Sequence, residues 1–163
     1  MGILVQLVLN GLIAGAIYAL IALGFNLIYG TTKFFNLAHG ALAAVGGYSV
    51  FYLMKAFDVG VIPAVIFAVS FAGLLGWLLN KFIYEKLKNR SASNTVLLVA
   101  SLGAFTVIQA LIAIIFTSQF QTLARDFEPR VYEIAGGIIT QNQVIIMALV
   151  ALIALGLFIF LKK

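Results

Sequence analysis

A run of 27 residues without a formal charge, from Ile3 to Tyr29, restricts the fold more than any other feature of the sequence. As a helix this run would be about 40 Å long, which exceeds the ~30 Å hydrocarbon core of a bilayer. Hydrophobic residues make up 64% of the chain and charged residues 9%, against roughly 45–50% and about 25% in soluble domains. A soluble chain of 163 residues cannot bury that much apolar surface. The sequence therefore predicts an integral membrane protein.

Five apolar runs predict an all-α, polytopic membrane protein with about five transmembrane helices in one domain, residues 1–163. The runs are 3–29, about 39–54, 61–82, 95–116 and 144–161. The second run is short for a crossing, so we expect a broken or re-entrant segment near residues 30–40. Residues 117–143 are polar and predict a water-exposed, extracytoplasmic connection. Within it, Val131 to Thr140 with Gly136-Gly137 is typical of a small β-hairpin.

Lysine and arginine are distributed unevenly between the two predicted sides of the membrane. With the amino terminus outside, seven lie inside and three outside, which is the asymmetry expected of a membrane protein. The inner set is Lys33, Lys81, Lys86, Lys88, Arg90, Lys162 and Lys163, and the outer set is Lys55, Arg125 and Arg130. This orientation puts the hairpin outside. The net charge of +5 is thus interpreted as an orientation signal in contact with lipid, and not as a nucleic-acid surface.

Polar residues between Tyr29 and Gly47 interrupt the apolar sequence and form the candidate site. Hydrocarbon tolerates Asn36 and His39 only where they are paired, face a cavity or lie near the interface. We therefore predict that they line or gate a path, together with Gly40. The alternative for His39, the only histidine, is that it satisfies carbonyls at a helix end. A metal site is not expected, because no second histidine, no cysteine and no nearby carboxylate exists.

Small residues in the apolar runs predict surfaces where helices pack closely. Gly11, Gly15 and Ala19 recur every four residues and present one smooth face to another backbone. Asn26 is either an interhelical hydrogen-bonding residue or a path residue. In the later runs, Ser101 and Gln109 are eight apart and are expected on roughly one face. Tyr84, which follows the third run, suits the interfacial aromatic belt.

Enzyme motifs are absent from the sequence. It contains no His-Glu-x-x-His helix, no Gly-x-Ser-x-Gly elbow, no Walker A loop and no glycine-rich dinucleotide turn. The five acidic residues lie outside the apolar runs, so a proton- or sodium-coupled membrane carboxylate is unsupported. These features favour a permeation subunit that is powered by a separate ATPase, or a purely structural membrane protein.

Four motifs in order carry a family resemblance. They are residues 18–30 (Tyr-Ala-Leu-Ile-Ala-Leu-Gly-Phe-Asn-Leu-Ile-Tyr-Gly), 35–40 (Phe-Asn-Leu-Ala-His-Gly), 45–48 (Val-Gly-Gly-Tyr) and 97–109, which ends in Gln109. Together they resemble the permeases of branched-chain amino acid ABC importers. The resemblance implies a substrate path between two paired permeases, with an extracytoplasmic amino-acid-binding protein and cytoplasmic ATP-binding subunits. The ATP would be bound by those partners, and no cofactor is expected in this chain.

The resemblance adds residues to both predicted sets and meets two departures. Tyr48 and Gln109 join the path candidates, and Gly46 and Gly47 join the helix-packing residues. Family members are nearly twice as long, so we expect a truncated product, an expressed fragment or one half of a split permease. The family's Arg-Pro-Leu-Arg after the third span is replaced by Glu85-Lys-Leu-Lys88. The alternatives are a non-transporting membrane fragment that packs on or regulates a partner, and an importer of urea or short amides.

Overall fold

The computed structural model describes residues 2–117, 130–134 and 136–162, and the regular secondary structure in this part of the chain is helical apart from one hairpin. In chain order the elements are α1 (Gly2–Thr32), α2 (Ala38–Ala56), α3 (Val61–Leu79), a π-helical turn (Asn80–Tyr84), α4 (Glu85–Asn89), α5 (Asn94–Phe116), β1 (Val131–Ile134), β2 (Gly137–Thr140) and α6 (Gln141–Leu161). Within the predicted segment 117–143, residues 118–129 and 135 lie outside the described residues.

Four described helical stretches are long and apolar enough to cross a membrane. They are Gly2–Thr32, Val61–Asn89, Asn94–Phe116 and Gln141–Ile159. The fifth predicted crossing forms α2, a helix of 19 residues, but it is not one of these four. The predicted break near residues 30–40 is confirmed, because the chain is not helical between Thr32 and Ala38.

The third helical stretch continues past its predicted end at Phe82. A π-helical turn joins α3 to α4 without a break, so the basic residues near position 86 lie on a helix. The side-chain amide of Asn80 donates to Glu85 Oε1 at 2.9 Å, across the i, i+5 spacing that a π-helical turn brings together. A new helix then begins where the hydroxyl of Ser93 accepts a hydrogen bond from the backbone N–H of Val96.

The described residues belong to two compact units, Leu27–Ala124 and Met1–Asn26 with Arg125–Lys163. In the first unit, α2 packs against both α3 and α5. Leu42, near the start of α2, lies 3.3 Å from a Cβ placed on Gly76, near the end of α3, so these two packed helices are antiparallel. Small residues such as Ala64 and Ala68 are buried in α3, where they permit close approach of the helix backbones.

The second unit contains the hairpin and α6. β1 and β2 pair antiparallel, with Val131 opposite Thr140 and Ile134 opposite Gly137. The hairpin prediction is therefore confirmed, although Gly137 belongs to β2 and only Gly136 of the two glycines lies in the turn, at φ 81°. Thr140 then caps α6, since its side chain accepts from the backbone N–H of Gln143 and the Gln143 side chain accepts from that of Thr140.

The side-chain amide of Gln6 in α1 holds the hairpin as a neighbouring strand would. Its Nε2 donates to the carbonyl oxygen of Ile138 at 3.1 Å, and the N–H of Ile138 donates to its Oε1 at 2.7 Å. The two bonds occupy both backbone groups of one β2 residue. Nearby, a Cβ on Gly2 would lie 2.7 Å from the carbonyl oxygen of Gly136, so this approach requires glycine.

Candidate functional site

The chain reversal between α1 and α2 is held by a buried group of side chains, Phe34, Tyr84 and Leu97, which we call the reversal cluster. Lys33 adopts a left-handed backbone at φ 60°, next to Phe34, which is buried. The Phe34 and Tyr84 rings meet edge-to-face with centroids 5.1 Å apart, a favoured aromatic geometry. The expectation that Tyr84 lies in the interfacial belt is wrong, because its side chain is 2% exposed.

Burial of Tyr84 is compatible with its hydroxyl because that group has a partner. The Tyr84 hydroxyl donates to Asn36 Oδ1 at 3.0 Å, and the same oxygen accepts from the N–H of Ala38 at 3.2 Å. Asn36 therefore pairs with the N–H of the first residue of α2 and anchors that residue to the reversal cluster. This arrangement supports a structural role for Asn36, while its predicted role in a path stays a prediction.

Ser101 of α5 makes a second polar connection to the reversal. Its hydroxyl oxygen accepts from the N–H of Leu37 at 3.1 Å and lies 3.1 Å from the carbonyl oxygen of Phe35. Ser101 is fully buried, so these bonds satisfy backbone groups that water cannot reach. The only sequence signal for this role was a serine within a long apolar run. Gln109 is exposed on the same helix, and the expectation that it lies on roughly the same face as Ser101 stays a prediction.

His39 lies at one end of a groove of about 510 Å³ between α2 and α3. We call it the glycine groove, because Gly46 and Gly47 of α2 line it with Gly73 and Gly76 of α3. Within the described part of the chain the His39 side chain makes no hydrogen bond, and both its path role and the alternative that it satisfies carbonyls at a helix end stay predictions. Gly40 follows as an exposed residue.

A different face of α2 carries Tyr48, which lines a second cavity of about 880 Å³ between α2, α3 and α5. The Tyr48 ring contacts that of Phe116 with centroids 4.8 Å apart.

The remaining predicted residues all belong to α1. Asn26 is exposed on α1, and Gly11, Gly15 and Ala19 are also exposed there. A Cβ at Gly11 or Gly15 would meet no described atom within 4 Å, so their packing role stays a prediction.

Basic residues concentrate at the end of the first unit where α2 begins. Lys81, Lys86, Lys88 and Arg90 are exposed there, and Lys88 Nζ lies 5.4 Å from the ring centroid of Phe34. Lys55, at the opposite end of α2, lies 5.1 Å from the ring centroid of Phe51. Among the described residues no three His, Asp or Glu side chains are grouped as metal ligands would be.

Comparison with known proteins decides the family. The family described as "Branched-chain amino acid transport system / permease component" matches residues 7–163. The chain belongs to this family. It is a multi-pass membrane protein with apolar membrane-crossing helices, so the predicted family and the all-α polytopic class are confirmed.

Three relatives indicate how much of a permease the chain represents. The high-affinity branched-chain amino acid transport system permease protein LivH of Escherichia coli K12 is 29% identical over 64% of this chain and 36% of its own length. The corresponding BraD of Pseudomonas aeruginosa is 25% identical over 97% of the chain and 55% of its own length. The probable LivH of Methanocaldococcus jannaschii is 27% identical over 97% and 51%. The chain thus spans about half the length of these last two permeases. No solved structure matches it.

Proposed function

We propose that the chain forms part of the substrate path of an ABC importer for branched-chain amino acids. The glycine groove carries this proposal, because its walls of glycine, alanine and valine suit a small branched side chain. His39 at the groove end supplies a polar side chain that no described residue engages. A zwitterionic substrate needs such a polar partner wherever the surroundings are apolar.

The proposed importer needs further subunits. ATP hydrolysis would take place in cytoplasmic ATP-binding subunits, because the sequence contains no Walker A loop. A second permease subunit would complete the path, and an extracytoplasmic amino-acid-binding protein would deliver the substrate. Motion of the ATP-binding subunits would open the path alternately to the two sides of the membrane.

Uptake of labelled leucine, divided by the amount of purified complex, tests the proposal in cells that supply the partner subunits. We expect His39→Ala to reduce uptake per complex by roughly tenfold or more, the effect of about 1.4 kcal/mol in the transport step, with normal complex yield. Asn36→Ala should instead reduce complex yield, because it removes the acceptor for Tyr84 and Ala38. Thr106→Ala is the control, because the Thr106 residue is exposed and its hydroxyl donates to Leu102 of the same helix.

Two results of this assay would count against the proposal. Normal uptake per complex in His39→Ala would remove His39 from the path. If the unmodified complex takes up labelled urea but not leucine, the substrate is urea or a short amide and not a branched-chain amino acid.

The proposed orientation has its own test. Since the basic end of the first unit is predicted to be cytoplasmic, a reporter fused after Arg90 should stay inside the cell. A reporter fused after Gln121 should be exported. The opposite pattern would place the reversal cluster on the outer side and the hairpin inside.

A further inference from the structure

The second cavity, lined by Tyr48, is a site that the proposed transport path does not use. We call it the aromatic cavity, because the rings of Tyr48, Tyr52, Phe67, Phe71, Phe82 and Phe116 line it. Its other walls are aliphatic, and the only polar side-chain atoms in the lining are the hydroxyls of Ser49 and the two tyrosines. A zwitterionic amino acid would find no partner there for its two charges, so an apolar ligand fits better.

The aromatic cavity is long and open at its side. Its wall along α3 and the π-helical turn extends from Phe67 to Phe82, which is about 22 Å at ~1.5 Å per residue. Its volume is about 880 Å³. Phe67 and Ile115 are 51% and 67% exposed, so a chain can enter from the lipid side.

One end of the aromatic cavity carries a positive charge. Lys86 Nζ lies 5.5 Å from the ring centroid of Phe82, a residue of the lining. The neighbouring Lys81 lies over Trp77 at 4.6 Å, and Trp77 does not line the cavity. The length of the aromatic cavity, about 22 Å, exceeds the ~15 Å thickness of one leaflet in a ~30 Å hydrocarbon core. A lipid whose chain enters at Phe82 would thus place its headgroup beside Lys86.

We propose that the aromatic cavity binds an acyl chain of an anionic phospholipid, with the lipid phosphate beside Lys86. Native mass spectrometry of the full chain in mild detergent tests this with phosphatidylglycerol, phosphatidylcholine and palmitate as probes. We expect one phosphatidylglycerol to be retained per chain, in preference to both other probes. Lys86→Gln should reduce its retention roughly fivefold, since one lysine near an anionic headgroup contributes about 1 kcal/mol. Lys81→Gln is the matched control and should reduce retention less than twofold.

Two further variants test the cavity itself. Ser49→Phe and Leu111→Trp each place a larger side chain in the lining and should reduce phosphatidylglycerol retention, with helical circular dichroism as the check that each variant folds. The proposal is overturned if the unmodified chain retains no lipid, or if the folded filling variants retain as much as it does. Equal losses in Lys86→Gln and Lys81→Gln would also overturn it, as would equal retention of phosphatidylcholine. Preferential retention of palmitate would show that a free fatty acid occupies the cavity instead.

Discussion

The reversal at residues 33–37 and the hairpin at residues 131–140 are both short non-helical segments held by side-chain hydrogen bonds, but in different surroundings. At the reversal, the hydroxyl of Ser101 is fully buried and pairs with backbone groups of the segment. At the hairpin, the amide of Gln6 makes a similar pair of bonds from an exposed position. Water can replace a bond at the hairpin and cannot do so at the reversal. The same type of contact should therefore contribute differently to stability.

The largest effect is expected at the buried hydroxyl. Ser101→Ala leaves the N–H of Leu37 without its acceptor, and we expect the free energy of unfolding to fall by about 1–3 kcal/mol. Unfolding in mixed micelles measures this. Ser70→Ala is the matched control, because the Ser70 hydroxyl is exposed and bonds only within its own helix, to Ile66. Equal losses in the two variants would mean that burial does not distinguish these hydroxyls.

A smaller, local effect is expected at the exposed amide. Gln6→Ala removes both bonds to Ile138, and we expect about 0.5–1 kcal/mol of local stability to be lost. Amide hydrogen exchange at Ile138 should become up to about fivefold faster. Asn10→Ala is the control, because Asn10 only accepts a bond from Gln6 and leaves those to Ile138 intact. Unchanged exchange in Gln6→Ala would show that β1 alone holds β2.

The smallest effect on the chain itself is expected at the exposed glycine face of α1. A Cβ at residue 15 meets no described atom within 4 Å, so in Gly15→Leu the free energy of unfolding should change by less than about 0.5 kcal/mol. Association with partner helices in detergent should weaken by roughly 1–3 kcal/mol if this face packs on another subunit. Gly76→Leu is the contrast, because its Cβ would lie 3.3 Å from Leu42 and should destabilise the chain itself. Unchanged association in Gly15→Leu would remove the packing role.

The sequence predicted the elements better than the contacts between them. Apolar runs, the break before Ala38 and the turn glycine at Gly136 are local signals, and each corresponds to an observed boundary. The roles of Tyr84 and Ser101 depend on residues 48 and 64 positions away. No local pattern specifies such pairs, and no residue in 80–84 marked the π-helical turn. The sequence also left two interpretations of His39 open, and uptake per complex in His39→Ala is the measurement that distinguishes them.

The bond between Gln6 and Ile138 has a consequence for the order of biosynthesis, because its partners are 132 residues apart. At about 5–20 residues per second, roughly 7 to 26 s separate the translation of the two residues. During that time α1 must stay in the bilayer without the hairpin, which its uncharged length permits. The pair of Leu37 and Ser101 becomes available after 64 residues. The reversal can therefore form while the ribosome is still making the rest of the chain. The bonds between Gln6 and Ile138 are among the last to form.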